Sequence, residues 1–210
     1  MSLTREKVLT TALRLADETG LEALSMRKLA KELGVEAMSL YHHVANKEDL
    51  IDGLVDLVFE EIEPPSGEDG WRPAMRKRAL QTREALRRHP WAVGLMEARS
   101  NPGLANRRLH EAMLKTLREA GFSVAATARA YSIQDSFIYG FALQEKALPD
   151  FDAPEIGAAV AERMLRFAAE YPYNAEMLVE HIAKDGYNLT AEFEFGLELI
   201  LDGLEPLRDQ

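Results

Sequence analysis

The chain has 210 residues, 47% of them hydrophobic, no cysteine and a formal charge of −10. This is enough apolar content for a buried core in one or two domains, and the missing cysteines exclude disulfides and thiolate metal sites. No apolar run approaches the ~18 residues of a membrane span and no basic-then-apolar leader opens the chain, so a soluble, cytoplasmic protein is expected.

In chain order, Val8, Leu9, Ala12, Leu13 and Ala16 recur at helical spacing, which predicts a helix over 4–19 stopped by Gly20. Leu29, Ala30 and Leu33 put an apolar stripe on a second helix, Gly34 offers a left-handed cap, and Leu40 and Val44 anchor a third helix after Val35. Asn46 followed by Asp49 reads as an N-cap with an acid at the third helical position, opening a helix over 46–62. Two prolines and two glycines in 63–70 mark the domain boundary. Helical pattern resumes over 71–88, is punctuated at His89-Pro90, and restarts from Trp91 to Ala98. Asn101-Pro102 predicts the start of a helix running to Gly121, and Ser123 caps one that lasts until Pro149. Asp152, Pro154 and Glu155 open another that ends near Pro172, and Thr190 opens the last, through Leu204. No segment alternates with a period of two, so the expected fold is all-α.

The residues between Leu40 and Val44 and just before them are unusual for a solvated face, where Lys and Glu are commoner. Ala37, Met38, Ser39, Tyr41, His42 and His43 are the mixed small, polar and aromatic set that a helix in a major groove can present. Charge supports this locally. Residues 1–50 hold seven basic and eight acidic residues, against eighteen and twenty-seven in 51–210, so the acidity lies in the C-terminal part. Arg27, Lys28, Lys31 and Lys47 outnumber Glu32 and Glu36 around the helix corner. Such corners also occur in proteins that bind no DNA, and the rival reading is a helical ligand-binding or protein-interaction module whose corner contacts a protein.

Met26-Arg27-Lys28-Leu29-Ala30, Leu33-Gly34-Val35, Leu40-Tyr41-His42-His43-Val44 and Asn46-Lys47-Glu48-Asp49-Leu50 resemble, without a gap, the DNA-binding domain of the TetR family of repressors. Ala120-Gly121-Phe122-Ser123, Phe137 to Leu143, Phe193 to Leu197 and Leu201 to Leu204 are similar to the C-terminal domain of the tetracycline-repressor-like subgroup. The resemblance implies a helix-turn-helix domain over 1–50, a connecting helix 46–62, and an effector-binding and dimerisation domain over 63–210. It implies DNA contacts at Ser25, Arg27, Ala37, Met38, Ser39, Tyr41, His42, His43 and Lys47. Arg27 matches a base- or phosphate-reaching position, Ala37, Met38 and Ser39 the base edges, and Tyr41, His42, His43 and Lys47 the backbone clamp. It further implies a homodimer reading a palindromic operator of double-stranded DNA and released by a small-molecule effector.

In the C-terminal half, Arg78, Met96, Met113, Tyr131, Gln134, Asp135, Tyr139 and Gln144 can line a cavity or simply fill the core. The helices 124–147 and 190–205 are apolar on more than one face, which means deep burial in one subunit or an intersubunit four-helix bundle. The family resemblance implies the bundle, with Phe137, Phe141, Phe193, Leu197, Ile200, Leu201 and Leu204 at the interface. Tetracycline–magnesium recognition is not expected, because 51–88 and 92–103 lack the histidines that chelate the drug in the fourth and sixth helices of tetracycline-binding members. His110 with Glu111 and His181 with Asp185 are pairs without a third ligand, so no metal or other cofactor is expected. Neither nucleophile-elbow, dinucleotide, phosphate-loop nor zinc-protease motifs occur, so no enzyme is predicted.

Overall fold

The computed structural model describes residues 3–96, 103–148, 162, 166, 168–182 and 188–208. Every regular element among them is helical: α1 (Arg5–Thr19), α2 (Met26–Leu33), α3 (Ala37–Leu40), α4 (Lys47–Glu60), α5 (Trp71–Arg88), α6 (Leu104–Glu119), α7 (Val124–Ala147), α8 (Pro172–Met177) and α9 (Leu189–Leu204), with short 3₁₀ turns after α1, α5 and α9. None is long and apolar enough to cross a membrane.

Local capping chemistry sets the helix ends. Thr4, Ser25, Asn46, Ser123 and Asn188 each accept a backbone N–H of the first turn of α1, α2, α4, α7 and α9. The final helix is therefore opened by Asn188, and Thr190 lies inside it, where its hydroxyl accepts from Arg83 instead. Gly103, with Asn101 and Pro102 outside the described residues, precedes α6. The expected helix from Trp91 is a single 3₁₀ turn (Pro90–Ala92) followed by turns to Met96. The helix expected from Asp152 lies outside the described residues apart from Glu162, Arg166 and 168–172.

Apolar side chains gather in two clusters. One joins Val8, Ala12, Leu15 and Ala16 of α1 to Leu29, Leu40, Val44, Leu50 and Leu54. The other joins Ile51, Val55, Val58 and Phe59 to α5, α6, α7 and α9. Helix α4 thus contributes to both, with Leu50 and Leu54 on one side and Ile51, Val55 and Val58 on the other, as two apolar stripes on one helix require.

In the larger cluster α5 acts as a cationic spine. Arg72 and Arg76 pair with Glu194, Glu198 and Asp202 along α9. Arg83 grips Glu145 of α7 through two nitrogens and lies over the rings of Phe141 and Phe193. Arg78 reaches Gln134 and Asp135 in the interior. Glu198, held by two guanidinium groups, is pushed below the usual carboxylate range.

Candidate nucleic-acid interface and effector cavity

The corner that would read DNA is set by α2, Gly34 and α3. Gly34 has φ 68°, a left-handed conformation that glycine adopts without the steric cost of a Cβ. It closes α2 with a paired cap, in which the Val35 N–H donates to Ala30 O at 3.0 Å and the Gly34 N–H to Lys31 O at 3.2 Å. The chain then enters α3, which is shorter than the spacing suggested. One regular turn ends at Leu40, and a tight turn carries the backbone to Val44, whose N–H donates to Leu40 O at 3.0 Å. Leu40 and Val44 are fully buried against α1, so the side chains between and before them must face outward.

All nine expected DNA-contacting residues are at least partly accessible. Met38 is 73% exposed and Tyr41 43%; Ser25, Arg27, His42 and Lys47 are exposed, and Ala37, Ser39 and His43 are half-buried. Ser25 uses its hydroxyl to cap α2, accepting the Lys28 N–H at 3.2 Å. Lys47 is the first residue of α4, at the positive end of the helix dipole. Nearby acidity is partly neutralised within the domain, since Glu32 pairs with Arg14 of α1.

This surface is held by a second anchor at the opening of α4. Asp49 takes both terminal nitrogens of Arg5 (2.9 and 3.1 Å) and the Ala45 N–H at 2.8 Å, while Arg5 also donates to His43 O at 2.6 Å. The hydrogen bonds from Arg5, then the one from Ala45, hold the Asp49 carboxyl below its usual range against the opposing effect of burial. A carboxyl depressed in the folded state stabilises above its unfolded pKa and loses that contribution as pH falls through the folded one. Asp49→Asn should therefore flatten the acid limb of the unfolding profile below about pH 4, where an unperturbed Asp titrates. An acid limb unchanged in the variant would remove this anchor.

In the C-terminal part the structure brings Arg78, Gln134 and Asp135 together. Arg78 is 4% exposed and donates to Gln134 Oε1 at 2.8 Å and to Asp135 Oδ1 at 2.5 Å. Asp135 also lines, with Tyr131, Ser132, Ser136 and Tyr139 of the same helix, a half-open depression of about 280 Å³. Met96 and Met113 are instead fillers of the apolar core, and Gln144 points outward. His110 lies in α6, edge-on to Tyr131 with ring centroids 4.8 Å apart, so α6 does carry an imidazole although 92–103 does not. Among the described residues no three His, Asp or Glu side chains gather to hold a metal, and Asp185 lies outside them.

The expected interface residues divide. Phe193, Leu197, Leu201 and Leu204 are buried inside the subunit, and Phe137, Phe141 and Ile200 pack half-buried against the same core. The exposed apolar side chains of the same two helices are Phe195 (67% exposed) and Leu199 (59%) on α9 and Ile133 and Leu143 on α7. Helical spacing marks both faces as apolar and does not say which is inside.

Two features escaped the sequence reading. Asp56 of α4 accepts the Ala105 and Asn106 N–H groups at 3.0 and 3.2 Å, capping α6 from another helix. Gly103 makes room for this, as a Cβ there would lie 2.1 Å from the Asp56 carboxylate. Asp56 falls in line with Asp52 and Glu60 one turn to either side, so the sequence offered no signal that set it apart. The other is the pairing of His89 with carboxylates of two different helices.

Comparison with known proteins places both parts. A family model for bacterial regulatory proteins of the tetR family matches residues 8–54, and one for the tetracyclin repressor-like C-terminal domain matches 63–208. The HTH-type transcriptional repressor DrrR1 of Streptomyces coeruleorubidus is 33% identical over 98% of this chain and 78% of its own length. The class C tetracycline repressor protein of Escherichia coli is 31% identical over 98% and 92%. Among solved structures, the Streptomyces coelicolor TetR family protein ActR in complex with actinorhodin superposes with a TM-score of 0.81 at 26% identity, covering 100% of both chains. A possible TetR family regulator from Streptomyces coelicolor A3(2) gives 0.79 at 31% identity, covering 97% of this chain and 99% of that one. With both halves of its helical fold and its exposed reading corner accounted for, the chain belongs to the TetR family and is a DNA-binding transcriptional regulator, not an enzyme.

Proposed function

We propose that the protein is a cytoplasmic homodimeric repressor that sits on a palindromic operator and leaves it when a small molecule enters the C-terminal domain. The observation that carries this reading is α4, which presents Lys47 to the reading surface and supplies side chains to both apolar cores. The division into a reading head over 1–50 and an effector and dimerisation domain over 63–210, joined by 46–62, follows that sharing. A single short reading segment spans few base pairs, so two heads about 34–36 Å apart on adjacent major grooves supply the missing specificity.

The depression beside Tyr131, Asp135 and Tyr139 suits an amphipathic effector with an aromatic or alkyl body and a polar group toward the two serines. The ActR–actinorhodin complex, a protein of the same fold with a bound small molecule, supports a small-molecule effector. Because Asp56 ties α4 to the start of α6, a ligand that displaces α6 also displaces the lever and with it the separation of the heads. Release then requires only that the ligand bind one head spacing better than the other. A compound screen should find a molecule that raises the melting temperature and lowers DNA affinity together. Stabilising compounds that leave DNA binding untouched would contradict the coupling.

Two further outcomes follow. Arg27→Ala should cost about 1–3 kcal/mol of operator binding and relax sequence preference, whereas Lys47→Ala should weaken all duplexes alike and flatten the salt dependence. Unchanged binding in both variants would remove the assigned footprint, and a corner that contacts protein would show no steep salt dependence at all. Replacing Phe195 and Leu199 with Glu should turn a micromolar dimer into a monomer in light scattering without unfolding it, since both side chains are exposed in the subunit. A dimeric mass in that variant would place the interface elsewhere.

A further inference from the structure

His89 is buried at the joint between the two cores, and each of its ring nitrogens meets a carboxylate. Nδ1 lies 2.7 Å from Asp17 Oδ1 near the end of α1, and Nε2 lies 2.9 Å from Glu61 Oε1 at the end of α4. Ionised carboxylate oxygens only accept hydrogen bonds, so a neutral imidazole would aim one bare lone pair at a negative oxygen. We propose that His89 is held as a doubly protonated imidazolium and acts as a positioning residue that fixes the reading head on the effector domain. The proposal rests on the dimeric-regulator reading for its consequence in DNA binding, and on geometry alone for its chemistry.

The surroundings fit a charged joint. His89 ends α5, its N–H donating to Ala85 O at 2.9 Å, and Pro90 then turns the chain. Trp91 Nε1 donates to the same Asp17 oxygen at 2.7 Å, and its ring packs against both apolar clusters. Arg88 pairs with the other Glu61 oxygen at 2.7 Å and lies near Glu84 of α5. On α1 the neighbouring charges, Arg14 and Glu18, pair with one another. Two carboxylates from two helices therefore converge on one buried cation, which a partly desolvated site rewards only when all members are paired. Because Asp17 belongs to the head and Glu61 to the end of the lever, the ring bonds three elements whose relative placement sets the head spacing.

The test uses the full chain labelled with ¹⁵N-histidine, and duplexes selected from a random-sequence pool. The histidine resonances lost in His89→Gln should show both ring nitrogens carrying hydrogen at neutral pH; a ring with one bare nitrogen overturns the imidazolium. Half-site spacing in the selected pool should be single-valued for the parent and spread to neighbouring lengths for His89→Gln and for Asp17→Asn, with about tenfold weaker binding of the parental site. Asp17→Asn keeps an acceptor for Trp91 and decides the matter where His89→Gln does not fold. Unchanged spacing in a folded variant reduces the joint to a stabilising contact and overturns the positioning role. A parental pool without any palindrome overturns that role together with the regulator reading, while the labelled spectrum still decides the ring's protonation.

Discussion

Arg78→Ala should destabilise the subunit by about 3–5 kcal/mol, measured by urea unfolding, because it strands the buried carboxylate of Asp135 without its cation. Arg78 and Asp135 are both buried, and the guanidinium also satisfies Gln134, whose amide reaches back to Met75 O at 3.4 Å. Removing one partner of such a set leaves full desolvation costs behind, whereas removing both with side chains of similar volume does not. Arg78→Met combined with Asp135→Leu should therefore recover most of the lost stability. Asp135 also borders the depression assigned to the effector, so the double variant should lose effector response while keeping operator binding. A single Arg78→Ala variant as stable as the parent would mean that water already reaches Asp135.

Phe193→Ala should cost about 3–5 kcal/mol, the usual range for truncating a buried aromatic ring. Phe193 is fully buried, stacks on Phe137 with centroids 5.1 Å apart, meets Phe141 edge-on at 5.0 Å, and lies under the Arg83 guanidinium at 5.1 Å. Its loss opens a cavity where α5, α7 and α9 converge and frees the cation that grips Glu145. The contrast with Phe195, two residues on, is diagnostic: one side chain supports the fold and the other faces outward. Thermal unfolding at several protein concentrations separates them. Phe193→Ala should lower the melting temperature at every concentration, and Phe195→Glu should lower it chiefly where dilution favours the monomer. A Phe193 variant that unfolds like the parent would place this ring at the interface after all.

The reading head was legible because its determinants are local. Ser25, Gly34 and Asn46 act on neighbours within a few residues and give the caps and turn their chemistry suggests, whereas the grip of Asp49 on Arg5, 44 residues away, left no local pattern. The length of α3 was less legible, since one turn of helix and a tight turn satisfy the same anchors. In the C-terminal part the decisive partners are far apart in sequence. Arg78 meets Asp135 across 57 residues and Arg76 meets Glu194 across 118, and no local pattern pairs them. The apolar doubling of α7 and α9 was visible, but the inward face is chosen by packing: a Cβ at Gly196 would lie 2.7 Å from the Phe137 ring, so this close approach turns Phe193 and Leu197 inside. His89-Pro90 read as punctuation, because the carboxylates that give the ring its role come from Asp17 and Glu61, 72 and 28 residues earlier.

The most direct test of the account is selection of random duplex DNA by the purified full-length protein at moderate salt, followed by sequencing of the bound pool. The account predicts enrichment of a single palindrome whose half-sites are one helical turn apart, bound with steep salt dependence. A pool that shows no enrichment, from a protein confirmed to be folded and free of ligand, would contradict it.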